Sequence, residues 1–382
     1  MTAPHAASSL PTGSRPRTVG VEEELLLVDA ETMQLVPLAD RVLETHAASG
    51  GAADALGPIL EFEVKQEQIE VISPPLTTFA ELAASIVSGR KAADEAAQSV
   101  GARAVALATA NLSCEPHLVS APRYERMQDR FGLTLREQLT CGLHVHVAVD
   151  SAEEGVAVLD RIRSWLPALL ALSANSPYWQ GKDTGFASYR YQAWCRWPSA
   201  GPYDLFGSAD AYFARVDENL AADIALDAGM IYSDARLSHH APTVETRISD
   251  VCLRPVDAAV LAVLIRALVE TAVAEWEASK PADPVSTSFL RLASWRASKS
   301  GLNDSLVHPL TRRPVAAGTA VHALLLHVRD RFASDDERRF VLETVAAILR
   351  EGTGESRQRA AMGVRGRHTD VVAEAIRQTT LL

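Results

Sequence analysis

The sequence predicts an α+β protein with one mostly antiparallel sheet and helices on its outer face. Three observations carry this. Short runs with period-two alternation come early, at 18–28, 141–149 and 243–248; helical spacing is interspersed between them and then dominates from Pro255 onward; and no composition break divides the chain. In a strand, residues i and i+2 point to the same side. Glu22 with Glu24, His144 with His146, and Glu245 with Arg247 therefore project together. Each pair is set among β-branched or apolar neighbours, so the polar side faces an enclosed space. Carboxylates gathered there repel one another unless cations neutralise them. A divalent metal answers that need, with Arg247 beside it to meet an anion.

The elements follow in order. Thr18–Val28 reads as the first strand, and Gln34–Pro37 as its hairpin partner beyond the turn at Asp29–Met33. Residues 39–48 form a short helix that Gly50-Gly51 ends. Ile59–Ile72 alternates irregularly and reads as extended. Leu76–Ala97 has helical spacing, with Phe79, Leu82, Ile86 and Val87 on one stripe and Arg90, Lys91, Asp94 and Glu95 elsewhere. Ala102–Ala108 is a buried strand, and Arg123–Gln138 is helical around a turn at Phe131-Gly132. After the HxH strand, Glu153–Ala174 is a helix with Val156, Leu159, Ile162, Leu166, Leu169 and Leu170 as its apolar face. Ser176–Gly207 is the longest irregular stretch, and its aromatics (Tyr178, Trp179, Tyr189, Tyr191, Trp194, Trp197) argue that it is ordered. Ala209–Leu226 is helical, and a strand pair frames Asp234–Ile248.

Bulk properties narrow the function. A hydrophobic content of 47% with 22% charged residues is that of a soluble globular chain. A net charge of −11 argues against a nucleic-acid or anionic-membrane surface, but leaves room for a nucleotide bridged by metal. Cys114, Cys141, Cys195 and Cys252 are widely spaced and form no CxxC, which fits a reducing cytoplasm. Residues 1–17 are rich in Ala, Ser and Pro without an apolar core, so they read as a disordered tail rather than a signal peptide. Residues 18–382 read as a single domain. Val256–Val273 is interrupted by Asp257, Arg266 and Glu270, marking a buried helix and not a membrane span.

Taken singly, each polar motif has a plain structural alternative. Glu22 and Glu24 could line a solvated edge strand. Glu61, Glu63, Glu67 and Glu70 could be a charged surface strand, and Glu63 and Glu70 can reach one site only through a bulge or bend. His144 and His146 could be core histidines, and Arg236 and Arg247 surface ion-pair partners. Read as a site, two imidazoles among carboxylates favour Mg²⁺, with Mn²⁺ as the alternative, over zinc; no HExxH helix is present. GxxxxGK[ST], GxGxxG and GxSxG are all absent, so any nucleotide is held by metal and arginine rather than a glycine-rich cradle.

Five stretches, in order, resemble the type 2 glutamate–cysteine ligase family, in its YbdK-like carboxylate–amine ligase branch. They are Val19–Glu24, Glu63–Ser73, Gly142–Val147, Leu172–Arg190 and Pro242–Asp250; the fourth is long and specific. The resemblance implies a glutamine-synthetase-like catalytic fold, whose curved antiparallel sheet forms a funnel for ATP, Mg²⁺ and substrates. It implies ATP-dependent amide formation, in which the glutamate γ-carboxylate becomes γ-glutamyl phosphate and an amine then displaces phosphate. Carried over by position, Glu22, Glu24, Glu63, Glu70, His144 and Glu245 resemble the metal shell. Arg247 resembles the phosphoryl-stabilising arginine and Arg236 a substrate or phosphate anchor. His146, Asn175, Tyr178 and Arg190 become substrate-binding candidates, with Ser173–Arg190 shaping the substrate mouth. In one place the chain departs from the pattern: Thr109–His117 replaces a Gly-Thr-His-Pro-like turn, which would alter the acceptor if that turn touches substrate. The expectation is a cytoplasmic enzyme joining L-glutamate to cysteine or another small amino acid, with small-molecule partners only and a homodimer left open. The alternatives are a ligase of specialised metabolism acting on an unusual amine, a non-catalytic ligand sensor on the same fold, and, last, a zinc hydrolase.

Overall fold

The structure, a computed structural model, describes residues 16–50 and 57–381. The chain runs β1 (Val19–Asp29), α1 (Ala39–Ala48), β2 (Ile59–Phe62), β3 (Gln68–Ile72), α2 (Phe79–Gln98), β4 (Ala102–Val105), α3 (Pro122–Phe131), α4 (Leu133–Arg136), β5 (Gly142–Ala148), α5 (Ala152–Ile162) and α6 (Leu166–Ser173). It continues with β6 (Tyr178–Trp179), β7 (Lys182–Asp183), α7 (Tyr189–Trp194), α8 (Ala209–Ala221), β8 (Ala235–Leu237), β9 (Thr243–Asp250) and α9 (Pro255–Glu277). The C-terminal part is α10 (Thr287–Ser300), β10 (Ser305–Val307), β11 (Pro314–Ala316), α11 (Ala317–Val328), α12 (Asp335–Glu351), α13 (Gly354–Arg365) and α14 (His368–Thr379).

Seven strands form one sheet in the order β2-β3-β1-β5-β9-β8, with β4 also paired to β1, and every pairing is antiparallel. On one edge β1 pairs first with β5 and then with β4. Helices α2, α5, α6 and α9 cover one face. Alternation explains why: Val19 and Val21 of β1, Leu143, Val145 and Val147 of β5, and Val244 and Ile248 of β9 all enter the apolar layer. The opposite face keeps the acids and histidines. A second apolar layer joins the far end of β1 to α1, α2, β4 and α14.

Several sequence expectations need correction. The helix expected over 153–174 is two helices, α5 and α6. Pro167 lies in the first turn of α6, where its missing N–H costs nothing, but it cannot continue a helix from upstream. Ile59–Ile72 is not one extended run but the β2–β3 hairpin, whose turn supplies the bend that Glu63 and Glu70 needed. Gln34–Pro37 contributes only a single bridge, Val28 to Leu35. Arg90 and Asp94, placed off the apolar stripe of α2, are buried. Residues 1–15 of the expected tail lie outside the described residues. Arg17, also assigned to that tail, is anchored by ion pairs to Glu154 at 2.7 Å and Glu270 at 3.6 Å. Helix α9 is buried along most of its length, and no helix among the described residues is long and apolar enough to cross a membrane.

Candidate active site

The sheet's pairing assembles the site. β1 sets Glu22 opposite His144 of β5, and Glu24 opposite Glu70 of β3. β9 sets Glu245 opposite His146, and β8 sets Arg236 opposite Glu245. The β5–β9 register shifts between Leu143 and Val145, a bulge-like irregularity beside Arg247. Glu23, odd in the alternation, points to the helix side and binds Arg90 instead.

Distances show a linked cluster. His144 Nδ1 lies 3.2 Å from Glu22 Oε2, and its Nε2 lies 3.8 Å from Glu24 Oε1. His146 Nε2 lies 3.1 Å from Glu22 Oε1, and its Nδ1 lies 2.9 Å from Thr243 Oγ1. Arg247 contacts Glu245 directly and lies 5.7 Å from the centre of the Trp194 ring. Glu24 Oε2 accepts a 2.6 Å bond from Gly142 N–H. Position 142 needs glycine: a Cβ there would collide with the Arg190 guanidinium and sit 3.1 Å from His144 Nε2.

The electrostatics divide the carboxylates into two classes. Burial works against ionisation of Glu22, but hydrogen bonds and charges from His144 and His146 hold it well below the usual range. Glu245 is likewise held low by Arg247 and Arg236 against its burial. Glu63 goes the other way: burial and the charge of Glu24 push it up to about 8. Burial, followed by the charges of Glu22, Glu63 and Glu24, pushes Glu70 well up too. His144 is lowered by burial and by Arg247, which keeps a neutral imidazole available as a ligand. For His146, the hydrogen bond and charge of Glu22 outweigh burial and raise it.

This donor set fits a divalent cation. Ligand atoms of Glu22, His144 and Glu245 lie within 4.8 Å of one another, as do those of Glu24, Glu70 and His144. Two carboxylates forced towards protonation and a His144 Nε2 with no hydrogen-bond partner are what a hard, oxygen-seeking ion would relieve. Glu63 stands beside Glu24 without joining either group.

Two cavities meet at this cluster, sharing Glu63, Glu70 and Arg247 as their seam. One, of about 400 Å³, carries His144, His146, Arg236 and Glu245, with Gly20 and Ser73 at its rim. The other, of about 210 Å³, has Glu24 and Gln68 as floor and Tyr124, Trp194, Trp197 and Tyr232 as wall. A larger cavity of about 430 Å³ lies behind the 228–232 turn, away from the acids.

Some sequence candidates take other places. Arg236 is not a free anion anchor. Its Nε meets Glu245 at 2.7 Å and its other donors reach the Gly229 and Ile231 carbonyls at 2.9 and 3.0 Å, so it orients Glu245. Asn175 is fully buried and saturated by Asp250, Ala106, Val251 and Gln358. Tyr178 is buried against His368 and Arg359. Arg190 is buried beneath Gly142 and over Trp194, lining neither cavity. Trp194 and Trp197, just beyond the expected Ser173–Arg190 segment, line the smaller cavity. Residues 109–117 also line neither cavity, so the departure from the family pattern there does not reach them. Sequence reasoning missed Arg123, Tyr124 and Tyr232; nothing in their local pattern marks them, because the cavity gathers them from α3 and the segment before β8.

Comparison with known proteins places the chain in a family. The model of glutamate–cysteine ligase family 2 matches residues 18–378. A protein of Paenarthrobacter aurescens is 52% identical over 365 residues, covering 95% of each chain, and one of Streptomyces avermitilis is 47% identical over 363 residues, covering 95% of this chain and 99% of its own; each is named "Putative glutamate--cysteine ligase 2-1". Among solved structures, a bifunctional glutathione synthetase from Pasteurella multocida superimposes with a TM-score of 0.66 at 14% identity, covering 96% of this chain and 52% of its own. A glutamate–cysteine ligase from Francisella tularensis, in complex with AMP, gives 0.61 at 13% identity, covering 97% and 90%. At that identity the structures speak to the fold, which is the glutamine-synthetase-like architecture the sequence implied. The chain belongs to glutamate–cysteine ligase family 2 and is an ATP-dependent carboxylate–amine ligase.

Proposed function

We propose that this protein joins the γ-carboxyl of L-glutamate to the amino group of L-cysteine or another small amino acid, consuming ATP in the presence of Mg²⁺. The observation that carries this is the convergence of Glu22, Glu24, Glu63, Glu70 and Glu245 with Arg247 on one face, two of the carboxylates being pushed towards protonation by burial and by their neighbours' charge. The cavity bearing His144 and His146, with Arg247 at its seam, suits the polyphosphate of the nucleotide. The aromatic-walled cavity suits the amino acids, and the seam at Arg247 is where the two would meet.

Glu22, His144 and Glu245, and Glu24 with Glu70, would hold Mg²⁺; Glu63 stands at their edge. Bound Mg²⁺ supplies charge neutralisation for phosphoryl transfer. In the first step an oxygen of the glutamate γ-carboxylate bonds to the γ-phosphorus, and the bridging P–O bond breaks to release ADP. Arg247 is placed to stabilise the negative charge that builds on the transferred group. In the second step the acceptor's free amine bonds to the acyl carbon, the bond from that carbon to the phosphate oxygen breaks, and the departing phosphate takes the proton that the nitrogen gives up. The walls of Trp194, Trp197 and Tyr232 restrict water that would hydrolyse the acyl phosphate. We place the enzyme in the cytoplasm, with small molecules as its partners.

The test is ADP release with ATP, Mg²⁺ and L-glutamate against a panel of amino acids and amines, with mass spectrometry of products. A γ-glutamyl adduct is expected, with the preferred acceptor distinguishing cysteine from an unusual amine. Glu24→Ala and Arg247→Ala should each lower ADP formation by about a hundredfold or more while circular dichroism stays native. Binding of ATP and glutamate by the wild type without any phosphate release would favour a sensor instead.

A further inference from the structure

The aromatic-walled cavity has a cation at each end. Arg247, 9% exposed, stands at the inner end among the carboxylates, and Arg123, 35% exposed, stands at the outer end on the first turn of α3. No other lysine, arginine or histidine among the described residues lines this cavity. Tyr232 lines the cavity with them: its phenol is buried and lies within the field of both guanidiniums. A molecule filling the cavity from seam to mouth therefore meets a positive charge at both ends, as a dicarboxylate requires.

Arg123 has one acidic partner. Its Nε lies 2.7 Å from Asp227 Oδ2 and its NH2 lies 3.1 Å from Asp227 Oδ1. Asp227 is 41% exposed, so the pair is reached by water and its attraction is weak. A free α-amino acid carries the same two charges side by side. It can replace this contact at little cost, its α-carboxylate taking Arg123 and its α-ammonium taking Asp227.

Resting on the ligase reading above, we propose that Arg123 and Asp227 form the head-group clamp that selects glutamate, Arg123 holding the α-carboxylate and Asp227 the α-ammonium while the γ-carboxylate lies at Arg247. The clamp explains how the site distinguishes glutamate from acids that share its reacting end. Removing the α-carboxylate from glutamate gives 4-aminobutyrate, and removing the amino group gives glutarate. Each analogue loses one half of the clamp, and specificity of this kind is large because the unmatched site group is left without its partner.

The experiment measures kcat/KM for glutamate, 4-aminobutyrate and glutarate in wild type, Arg123→Gln, Arg123→Lys and Asp227→Asn, at saturating ATP and a fixed acceptor. Arg123→Gln should reduce the preference for glutamate over 4-aminobutyrate by about tenfold to a hundredfold, the worth of a charge-assisted contact. It should leave KM for ATP at its wild-type value. Arg123→Lys should recover part of the preference, and Asp227→Asn should reduce only the preference over glutarate. Calorimetric titration of L-glutamate, with Mg²⁺ and a non-hydrolysable ATP analogue present, should show the same weakening without turnover. Unchanged preferences in Arg123→Gln and Asp227→Asn, in proteins that still turn over glutamate, overturn the clamp and leave the ligase reading standing. A change confined to the acceptor's KM overturns it as well, by moving the pair to the other substrate. A wild type that neither binds glutamate nor releases ADP overturns both.

Discussion

Burial, and after it the charge of neighbouring carboxylates, pushes Glu63 and Glu70 towards the protonated form at pH values where most carboxylates are ionised. That has a consequence for stability. A carboxyl raised from 4.5 to about 8 in the folded chain binds more protons folded than unfolded across that interval. Metal-free protein should therefore lose stability as pH rises from about 5 to 8, the opposite of the usual carboxylate trend. Mg²⁺ should cancel the loss, since a bound cation removes the penalty on ionising these groups. Thermal melts in EDTA and in excess Mg²⁺, taken across this range, check it. A metal-free melting temperature that is flat or climbs between these limits would show that the two acids ionise freely without metal.

Between elements, the most consequential contact is one the active site does not use. Arg90 of α2 is fully buried, bonds Glu23 of β1 at 2.9 and 2.6 Å, and donates to the carbonyls of Leu253, Cys252 and Thr379. One guanidinium thus ties α2 to the central strand, to the start of α9 and to the end of α14. Removing one partner of a buried pair strands the other charge, which costs about 3–5 kcal/mol. Glu23→Ala and Arg90→Ala should each show that loss in urea unfolding, and the double variant should lose clearly less than the two single losses added. Additive losses would mean that the two side chains do not stabilise each other. This contact also shows where sequence reading stops. Period two placed Glu22 and Glu24 on one face and therefore Glu23 on the other, so the set of acids and histidines that share a face on β1, β5 and β9 was legible from local pattern alone. What meets Glu23 was not, because its partner lies 67 positions away on a helix whose periodicity treats every arginine as solvent-facing. Glu63 and Glu70 needed a hairpin turn that no dipeptide signal announces. Asn175 and Tyr178 stand in a stretch that carries the family resemblance, yet both are buried against other parts of the chain and line neither cavity, which the local pattern does not announce.

At the scale of the whole molecule, the C-terminal helices are part of the body that holds the sheet. Val372, Ala375 and Ile376 of α14 belong to the apolar layer of β1 and β4, and Thr379 Oγ1 accepts a 3.0 Å bond from Ala106 N–H. α13 docks through Gln358, whose amide donates 2.7 Å bonds to the Asn175 carbonyl and side chain, while Asn175 N–H donates to Asp250 at the end of β9. The last two helices thus anchor the C-terminal ends of β1 and β9, two of the strands that carry the carboxylates, and unfolding should be a single cooperative transition by calorimetry. Ending the chain at Gly366 would remove α14. It would remove Val372, Ala375 and Ile376 from the apolar layer, leave Ala106 N–H unsatisfied and cost Arg90 a carbonyl acceptor. Burial at about 1.5–3 kcal/mol for each large aliphatic side chain, with the lost hydrogen bonds added, approaches the whole stability of a typical domain. The shortened chain should show no cooperative melt, and should bind neither glutamate nor nucleotide. If it instead melted cooperatively within a few degrees of the full chain, α14 would be an accessory, and the sheet with its carboxylate face would be stable on the support of α2, α5, α6 and α9.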